Sequence, residues 1–450
     1  MSLYGKLEKQ EADYSAVVEE KIPECQKMVN SGRLQEAIEI LLQLEKQARV
    51  AGDAHSTSRI LTTIVRFCFE QRNFEALNEN IHLLTKRRSQ LKQAVTKMVQ
   101  EACTYVDQIS DMETKLKLID SLRTVTAGKI YVEIERARLT RKLAEFKEAA
   151  GNIDEAASIL QELQVETFGS MEKREKIEFL LEQMRVCLLK GDFIRTQIIS
   201  RKISIRSFED EKLHDLKLKF YELMIKLDQH DANYFAVCKH YKQIYDTPRI
   251  KENSLMMKEA LKNIVIYLLL SPYGNEQQNL LHIISQDKNL QQLPKYNELV
   301  KLIKTDEVIN WRSLIEHFEQ DLKVGDSNLP ATDAFKSEEG AKRWADFKTR
   351  IVEHNMRVMA KYYTRISTKR MANLLDLTED ETEEFLSNLV TNKTVSGKID
   401  RLAGIVTFES QKDINEVLND WSHNLSALMK SINNTTHLIN KEEMVHAAKA

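Results

Sequence analysis

The sequence predicts a mainly α-helical protein, with a TPR-like repeat solenoid followed by a helical module, a winged helix and C-terminal helices. Apolar residues recur at helical spacing about every forty residues in the first half of the chain. The 450 residues include only 12 Gly and 5 Pro, too few turn residues for a protein built of many strands. The two convincing strand patterns both lie between residues 394 and 408.

Each copy of the repeat starts at an anchor residue that precedes a helix. After Gly151, the apolar residues at plus two, five, nine and twelve lie on one helical face, because their steps are three, four and three. The five anchors are Gly32, Arg72, Gly151, Gly191 and Ala232. Their stripes are Leu34, Ala37, Leu41, Leu44; Phe74, Leu77, Ile81, Leu84; Ile153, Ala156, Leu160, Leu163; Phe193, Thr196, Ser200, Ile203; and Tyr234, Val237, Tyr241, Ile244. In the weak Gly191 copy, Ile198 and Ile199 are expected to widen the stripe.

One copy, near residue 112, has lost this pattern. The motif SDME, Ser110 to Glu113, still predicts a capping box that opens a helix there. Counting that copy, the step stays near forty residues, which is typical of stacked helix pairs. We therefore predict right-handed stacked pairs over residues 1–245, with each anchor in the turn inside a pair, where glycine tolerates the backbone. An irregular helical domain with fortuitous spacing is the alternative.

The repeat fades after Tyr245. The apolar run from Ile264 to Leu270 is too short to span a bilayer and predicts a buried helix. The polar stretch 323–340 has no periodicity and predicts a surface loop. A strong amphipathic helix is expected to follow over 343–366, where Trp344, Phe347 and Ile351 share one side.

A winged helix is predicted over 366–410. A short helix over 367–377 precedes a second helix that opens with a Thr378/Glu381 capping box. Two β-branched runs, TVSGKI and GIVTF, then form a two-stranded wing. An open sheet edge can recruit a partner strand, so the wing predicts a protein interface. Its apolar candidate residues are Val395, Ile399, Val406 and Phe408.

The C-terminal segment 411–450 predicts helices that serve assembly. Its first helix carries an apolar stripe on one face, which water-exposed helices do not leave uncovered. The stripe consists of Ile414, Val417, Leu418, Trp421, Leu425, Leu428, Met429 and Ile432. After NNTT, a separate final helix is expected to start at Asn440. We therefore predict that the stripe contacts other proteins.

This order of a helical solenoid, a helical module and a winged helix resembles the PCI family, whose members scaffold the proteasome lid, the COP9 signalosome and the translation initiation factor three complex. The stretches GNIDEAASILQELQVETFGSM, LLLSPYGNEQQNLLHIISQD, IVEHNMRVMAKYYTRI and NDWSHNL resemble the proteasomal members. The resemblance implies a PCI domain over 246–410, with a helical part over 246–365. It also implies a non-catalytic scaffold of the proteasome lid in ubiquitin-dependent protein degradation. A PCI scaffold of the COP9 signalosome is the alternative.

The same resemblance implies the partners and the location. The expected partners are other lid subunits, including PCI subunits and the deubiquitinase subunit, within a hetero-oligomer of the cytoplasm and nucleus. Neither a membrane nor a cofactor is expected. The C-terminal helices of lid subunits are expected to gather into one bundle, and winged helices to line up against each other.

Nucleic-acid binding by the winged helix is a less favoured alternative. Its second helix opens with TEDETEE, which would bring carboxylates to the phosphates. The net charge of the chain is −2, so no overall basic field attracts nucleic acid. The basic cluster Lys86, Arg87 and Arg88 is interpreted as a solvated helix end.

Enzyme and metal motifs are missing from the sequence. It contains no H-E-x-x-H, no phosphate-binding G-x-x-x-x-G-K-[ST] and no G-x-S-x-G. His354 and His423 have no partner ligand one helical turn away and predict packed histidines. The five cysteines form no C-x-x-C pair and predict reduced structural thiols, with Cys187 in the core.

Overall fold

The computed structural model describes residues 13–326, 329–330, 332–336, 338–408 and 414–449. The chain divides into two compact units, Met1–Asp231 and Ala232–Ala450. The described residues are mostly helical, in agreement with the predicted fold class. None of the helices within these ranges is long and apolar enough to cross a membrane.

The first unit is a succession of α-helices, most of them joined by short turns. Most helices pack on their sequence neighbours, and alternate helices also meet, as α3 does α5 and α9 does α11. This is the packing expected of stacked helix pairs. The helices are α1 (Ser15–Asn30), α2 (Leu34–Val50), α3 (Ala54–Glu70), α4 (Phe74–Lys86), α5 (Lys92–Gln108), α6 (Met112–Thr126), α7 (Glu133–Ala149), α8 (Ile153–Gln161), α9 (Lys173–Lys190), α10 (Phe193–Ser200) and α11 (His214–His230).

The backbone at the anchors confirms the register of the repeat. All five anchors have a positive φ, between 52° and 86°, and each lies directly after the first helix of its pair or one residue beyond it. Glycine reaches this left-handed region without strain, whereas Arg72 and Ala232 adopt it at a cost. The turn geometry is therefore shared even where the glycine is not.

Most stripe residues are buried as predicted, but the first residue of each of the first four stripes is only half-buried, as are Tyr241 and Ile244. Leu41, Leu77, Ile81, Leu84 and Leu160 are all at most 1% exposed. In the weak copy, Ile199 is buried but Ile198 is 53% exposed and does not widen the stripe.

Another correction concerns the cap of α6. The capping residue is Asp111, whose carboxylate accepts the N–H of Thr114 at 3.1 Å, and not Ser110. Asp and Ser both serve as N-caps, so the sequence located the helix start to within one residue.

The basic cluster at the end of α4 is only partly solvated. Lys86 and Arg88 are exposed, but Arg87 forms an ion pair with Glu45, a fully buried residue of α2. Arg49 approaches the other oxygen of the same carboxylate at 3.1 Å. The interpretation of Arg87 as a solvated residue is therefore wrong, because it neutralises a buried charge between two repeats.

The second unit contains the predicted helical module and winged helix. α14 is buried along its whole apolar run, as predicted. The helices are α12 (Tyr234–Tyr245), α13 (Pro248–Glu252), α14 (Ser254–Leu270), α15 (Asn275–Ser285), α16 (Pro294–Lys304), α17 (Trp311–Lys323), α18 (Glu338–Tyr362), α19 (Thr368–Leu375), α20 (Glu379–Thr391) and α21 (Ile414–Lys449). The strands are β1 (Gly325–Asp326), β2 (Leu329–Pro330), β3 (Arg365–Ser367), β4 (Gly397–Asp400) and β5 (Ile405–Phe408).

The described parts of the stretch 323–340 contain regular structure, where the sequence predicted a surface loop. β1 and β2 pair as a short antiparallel hairpin, and a 3₁₀ turn over Asp333–Phe335 follows. Phe335 is buried against Trp344, with ring centroids 5.2 Å apart. Arg343, itself buried, donates to the carbonyl oxygen of Ala334 at 2.9 Å. These long side chains from α18 hold the segment, which has no periodicity of its own.

The wing is a three-stranded sheet, where the sequence predicted two strands. The order is β3-β5-β4, and Arg365, Ile366 and Ser367 pair with Thr407, Val406 and Ile405 in that order. The preceding helix therefore ends at Tyr362 and not at 366. The last residues of the helical pattern form a strand instead, because they pair with β5 about forty positions later. Local periodicity does not show such a distant contact.

Candidate protein-interaction surfaces

The stripe on α21 is a row of large apolar side chains that are exposed. Every residue of this helix whose side chain is described is exposed. Trp421 is 66% exposed and Val417 47%, and the other described members of the stripe fall between them. The side chain of Ile414 lies outside the described part of the structure. An amphipathic helix whose apolar face is exposed to water is typical of a surface that binds another protein.

α21 is one helix, and the expected break before Asn440 is wrong. The segment 414–449 contains neither Gly nor Pro. The hydroxyls of Thr435 and Thr436 donate hydrogen bonds to the carbonyl oxygens four residues earlier, at 2.9 and 3.0 Å. The polar NNTT sequence can therefore continue the helix. Beyond Ile432 the same face becomes mixed, with Ile439 beside threonine, glutamate and histidine. The continuous stripe is therefore confined to the first half of the helix.

The wing residues proposed for an interface are placed mainly inside the module. Val395, Val406 and Phe408 are buried together with residues of α18, α19 and α20, and Ile399 packs against them half-buried. These four side chains hold the wing to its helices. Among the described strands, β4 is an edge strand of the wing with a free outer side, since β5 occupies its inner edge. Within the described ranges, no strand pairs with that outer edge.

The turn between β4 and β5 is braced and presents one large apolar side chain. The carboxylate of Asp400 accepts the N–H groups of Leu402 and Ala403, both at 3.1 Å. The carbonyl oxygen of Gly404 accepts the N–H of Thr368 at 2.9 Å, which ties the turn to α19. Leu402 is fully exposed at its tip. Sequence reasoning missed it, although an apolar residue within the turn DRLA was a visible signal.

The first turn of α20 is an acidic surface. The predicted capping box is confirmed: Thr378 accepts the N–H of Glu381, and the Glu381 carboxylate accepts the N–H of Thr378 at 3.0 Å. The hydrogen bonds that the N–H and the hydroxyl of Thr378 donate to this carboxylate hold the pKa of Glu381 below its usual range. Glu379 and Asp380 are exposed beside it. These carboxylates would repel the phosphates of a nucleic acid.

The isolated histidines and cysteines do not assemble into a site. His354 is buried, and burial lowers the pKa of its imidazole. His423 is exposed on α21. Burial raises the pKa of the Cys68 thiol to about 11 and that of Cys103 to about 12, so neither is activated. Among the described residues, no group of three or more His, Cys, Asp and Glu is placed to hold a metal ion.

Comparisons with known proteins divide the chain in the same order. Residues 36–253 match the family model described as PSMD12/CSN4, N-terminal. Residues 315–410 match the PCI domain, and residues 415–447 match the 26S proteasome regulatory subunit RPN5 C-terminal domain. The last match falls on α21, the helix with the exposed stripe.

Relatives named as proteasome regulatory subunits are similar to the chain over nearly all of its length. The 26S proteasome non-ATPase regulatory subunit 12 of Dictyostelium discoideum is 44% identical, over 98% of this chain and 96% of its own length. Homolog A of the same subunit in Arabidopsis thaliana is 44% identical, over 94% and 99%. The 26S proteasome regulatory subunit RPN5 of Saccharomyces cerevisiae is 40% identical, over 98% of each chain.

Proposed function

We infer that this chain, which belongs to the family of 26S proteasome non-ATPase regulatory subunit 12, is a scaffold subunit of the proteasome regulatory particle lid. The observation that carries this function is the exposed stripe of α21. The stripe lies on the segment that matches the RPN5 C-terminal domain. A scaffold subunit needs apolar surfaces of this kind, which neighbouring subunits cover in the assembly. The chain supports ubiquitin-dependent protein degradation through these contacts.

The partners are other lid subunits, including PCI subunits and the deubiquitinase subunit. Helices of those subunits would cover the stripe, and the outer edge of β4 would accept a neighbouring winged helix. The domains that serve this role are the solenoid over 1–245, the PCI domain over 246–410 and the C-terminal assembly segment over 411–450, which contains α21. The chain works without catalysis of its own, in the cytoplasm and nucleus.

A replacement experiment tests this function. The chain is expressed in Saccharomyces cerevisiae from which RPN5, 40% identical to it, has been removed. We expect regulatory particles that contain the chain and degrade a ubiquitinated reporter. The chain aligns with 98% of RPN5. Nearly every segment through which RPN5 could contact its neighbours therefore has a counterpart in this chain. Absence of the chain from purified particles, with normal expression and a normal circular dichroism spectrum, would contradict the scaffold role.

The COP9 signalosome remains the runner-up within the scaffold class. The N-terminal family model covers PSMD12 and CSN4 together and does not separate them. The C-terminal match and the names of the relatives favour the proteasome. Mass spectrometry of complexes that co-purify with the tagged chain would distinguish the two.

The edge of the wing gives a prediction for assembly. We expect Ser396→Pro, directly before β4, to weaken association with a neighbouring PCI subunit by about tenfold, because proline removes a backbone donor near the edge. Ser396→Ala keeps that donor and is the control. Pull-down of purified PCI subunits by the two variants measures the difference. Equal yields from two folded variants would show that the edge is not used.

A second prediction concerns nucleic acid. The acidic first turn of α20 would repel the phosphates, so we expect no binding of a 30-base-pair duplex by the full chain at 50 mM salt. Fluorescence anisotropy provides the measurement. A dissociation constant in the micromolar range that weakens steeply with salt would instead favour the nucleic-acid adaptor.

A further inference from the structure

A small polar cavity lies beside α18, away from the stripe and the wing. Its volume is about 20 Å³, enough for a water molecule or the oxygens of one small polar group. One wall is a single face of α18, because Arg350, His354 and Arg357 are spaced by four and three residues. Tyr273 and Glu353 also line the cavity.

Two arginines at this cavity have donors without acceptors. Nη1 of Arg350 donates to Glu353 at 2.7 Å, but its buried Nε has no acceptor among the described residues. Nη1 of Arg357 is also buried and also lacks one. The guanidinium of Arg357 stacks on the ring of Tyr273 at 3.7 Å, which covers its face and leaves that N–H unpaired. Buried donors are rarely left unpaired in native proteins, so each indicates a missing acceptor.

The charges at the cavity do not balance. Among the residues that line the cavity, two guanidinium groups face one carboxylate, that of Glu353. Asp306 lies nearby, but its carboxylate is already paired with Lys361 at 2.7 Å. Burial lowers the pKa of Arg357 to about 10, which leaves it charged at neutral pH. A partly desolvated cation without a counter-ion is unfavourable, and an anion supplied from outside would relieve it.

We propose that this cavity binds the carboxylate of an aspartate or glutamate side chain from a protein partner. A carboxylate accepts several N–H bonds and matches the donors that the two arginines leave open. Only the tip of a side chain fits the cavity, and the rest of the partner would lie over Tyr273, which is 47% exposed at the edge. Tyrosine and arginine are enriched where protein interfaces bind tightly. The identity of the partner as a regulatory-particle subunit rests on the proposed function; the carboxylate site does not.

Acetate tests the site without a partner. Labelled acetate is titrated against the full chain at constant ionic strength, and its NMR line broadening reports binding. We expect saturable binding by the parent, weakened at least about tenfold by Arg357→Met or Arg350→Met. Arg370→Met, which removes an exposed arginine of α19, should bind like the parent. Binding that does not saturate, or that is equal in all four proteins, would overturn the proposal.

Thermal melting separates binding from a structural role. Methionine at 357 keeps the apolar stem and removes an unpaired donor, so we expect the melting temperature to stay level or rise. A clear fall would mean that the guanidinium serves the fold through Tyr273, and would count against a site kept open for a ligand.

A cross-link identifies the source of the carboxylate. A photoreactive phenylalanine analogue replaces Tyr273 in the full chain, which is then assembled into regulatory particles. We expect a cross-link to one peptide of another subunit that contains Asp or Glu, and loss of that cross-link with Arg357→Met. Acetate binding without any such cross-link in assembled particles would overturn the protein source. Failure of the chain to enter particles would instead contradict the proposed function.

Discussion

Removal of residues 413–450 is expected to leave a folded protein that no longer joins the regulatory particle. Every residue of α21 with a described side chain is exposed, so its removal takes away little of the core of this chain. Burying one large apolar side chain contributes roughly 1.5–3 kcal/mol, and the eight-residue stripe therefore on the order of 10 kcal/mol after ordering costs. Losing that much corresponds to about seven powers of ten in an association constant.

Co-purification and circular dichroism measure the two halves of this prediction. The truncated chain should keep the helical signal of its remaining residues and a single monomeric peak in size exclusion. It should be absent from particles isolated through another lid subunit. Recovery at the parental yield, or collapse of the truncated chain alone, would contradict an assembly role for α21.

Two matched double variants of the full-length chain test the stripe without removing any residues. Leu425→Asp with Leu428→Asp places two charges on the stripe, while Asn419→Asp with Ser426→Asp places the same charges on the opposite face. We expect the first pair to prevent assembly and the second to permit it. Equal behaviour would show that net charge, and not the apolar face, decides the outcome.

The sequence was most informative where structure depends on local spacing. The stripes and the anchors were predictable because steps of three and four residues define a helical face, and Gly32, Gly151 and Gly191 mark left-handed turns. The capping box at Thr378 is equally local. The stripe of α21 was also visible, since an apolar face needs no knowledge of its partner.

The features that the sequence did not reveal depend on distant contacts. β3 forms because Ile366 pairs with Val406, and the helical pattern of 343–366 gives no sign of it. The burial of Phe335 depends on Trp344 in the following helix. The cavity on α18 depends on Tyr273, which lies 84 positions before Arg357 in the chain but against its guanidinium in space. Helical spacing could align the arginines, but it could not show that their donors lack acceptors.

The second large effect is expected inside the solenoid, at Leu160. This side chain is 1% exposed and packs with Ala144, Ala156 and Val186 of three consecutive helices. Replacing it by Asp removes roughly 2–5 kcal/mol of apolar packing and adds the desolvation of a carboxyl group. We expect the free energy of local unfolding to fall by at least about 4 kcal/mol, enough to unfold these repeats.

Hydrogen exchange measures this loss where it occurs. Four kcal/mol corresponds to roughly a thousandfold faster exchange of the protected amides in α7, α8 and α9. Ser158→Asp introduces the same group on the exposed side of α8 and should leave exchange within a few-fold of the parent. Because desolvation favours the neutral acid, the defect of Leu160→Asp should be larger at pH 8 than at pH 5. Parental exchange rates in Leu160→Asp would mean that the stripe does not form the core of the repeats.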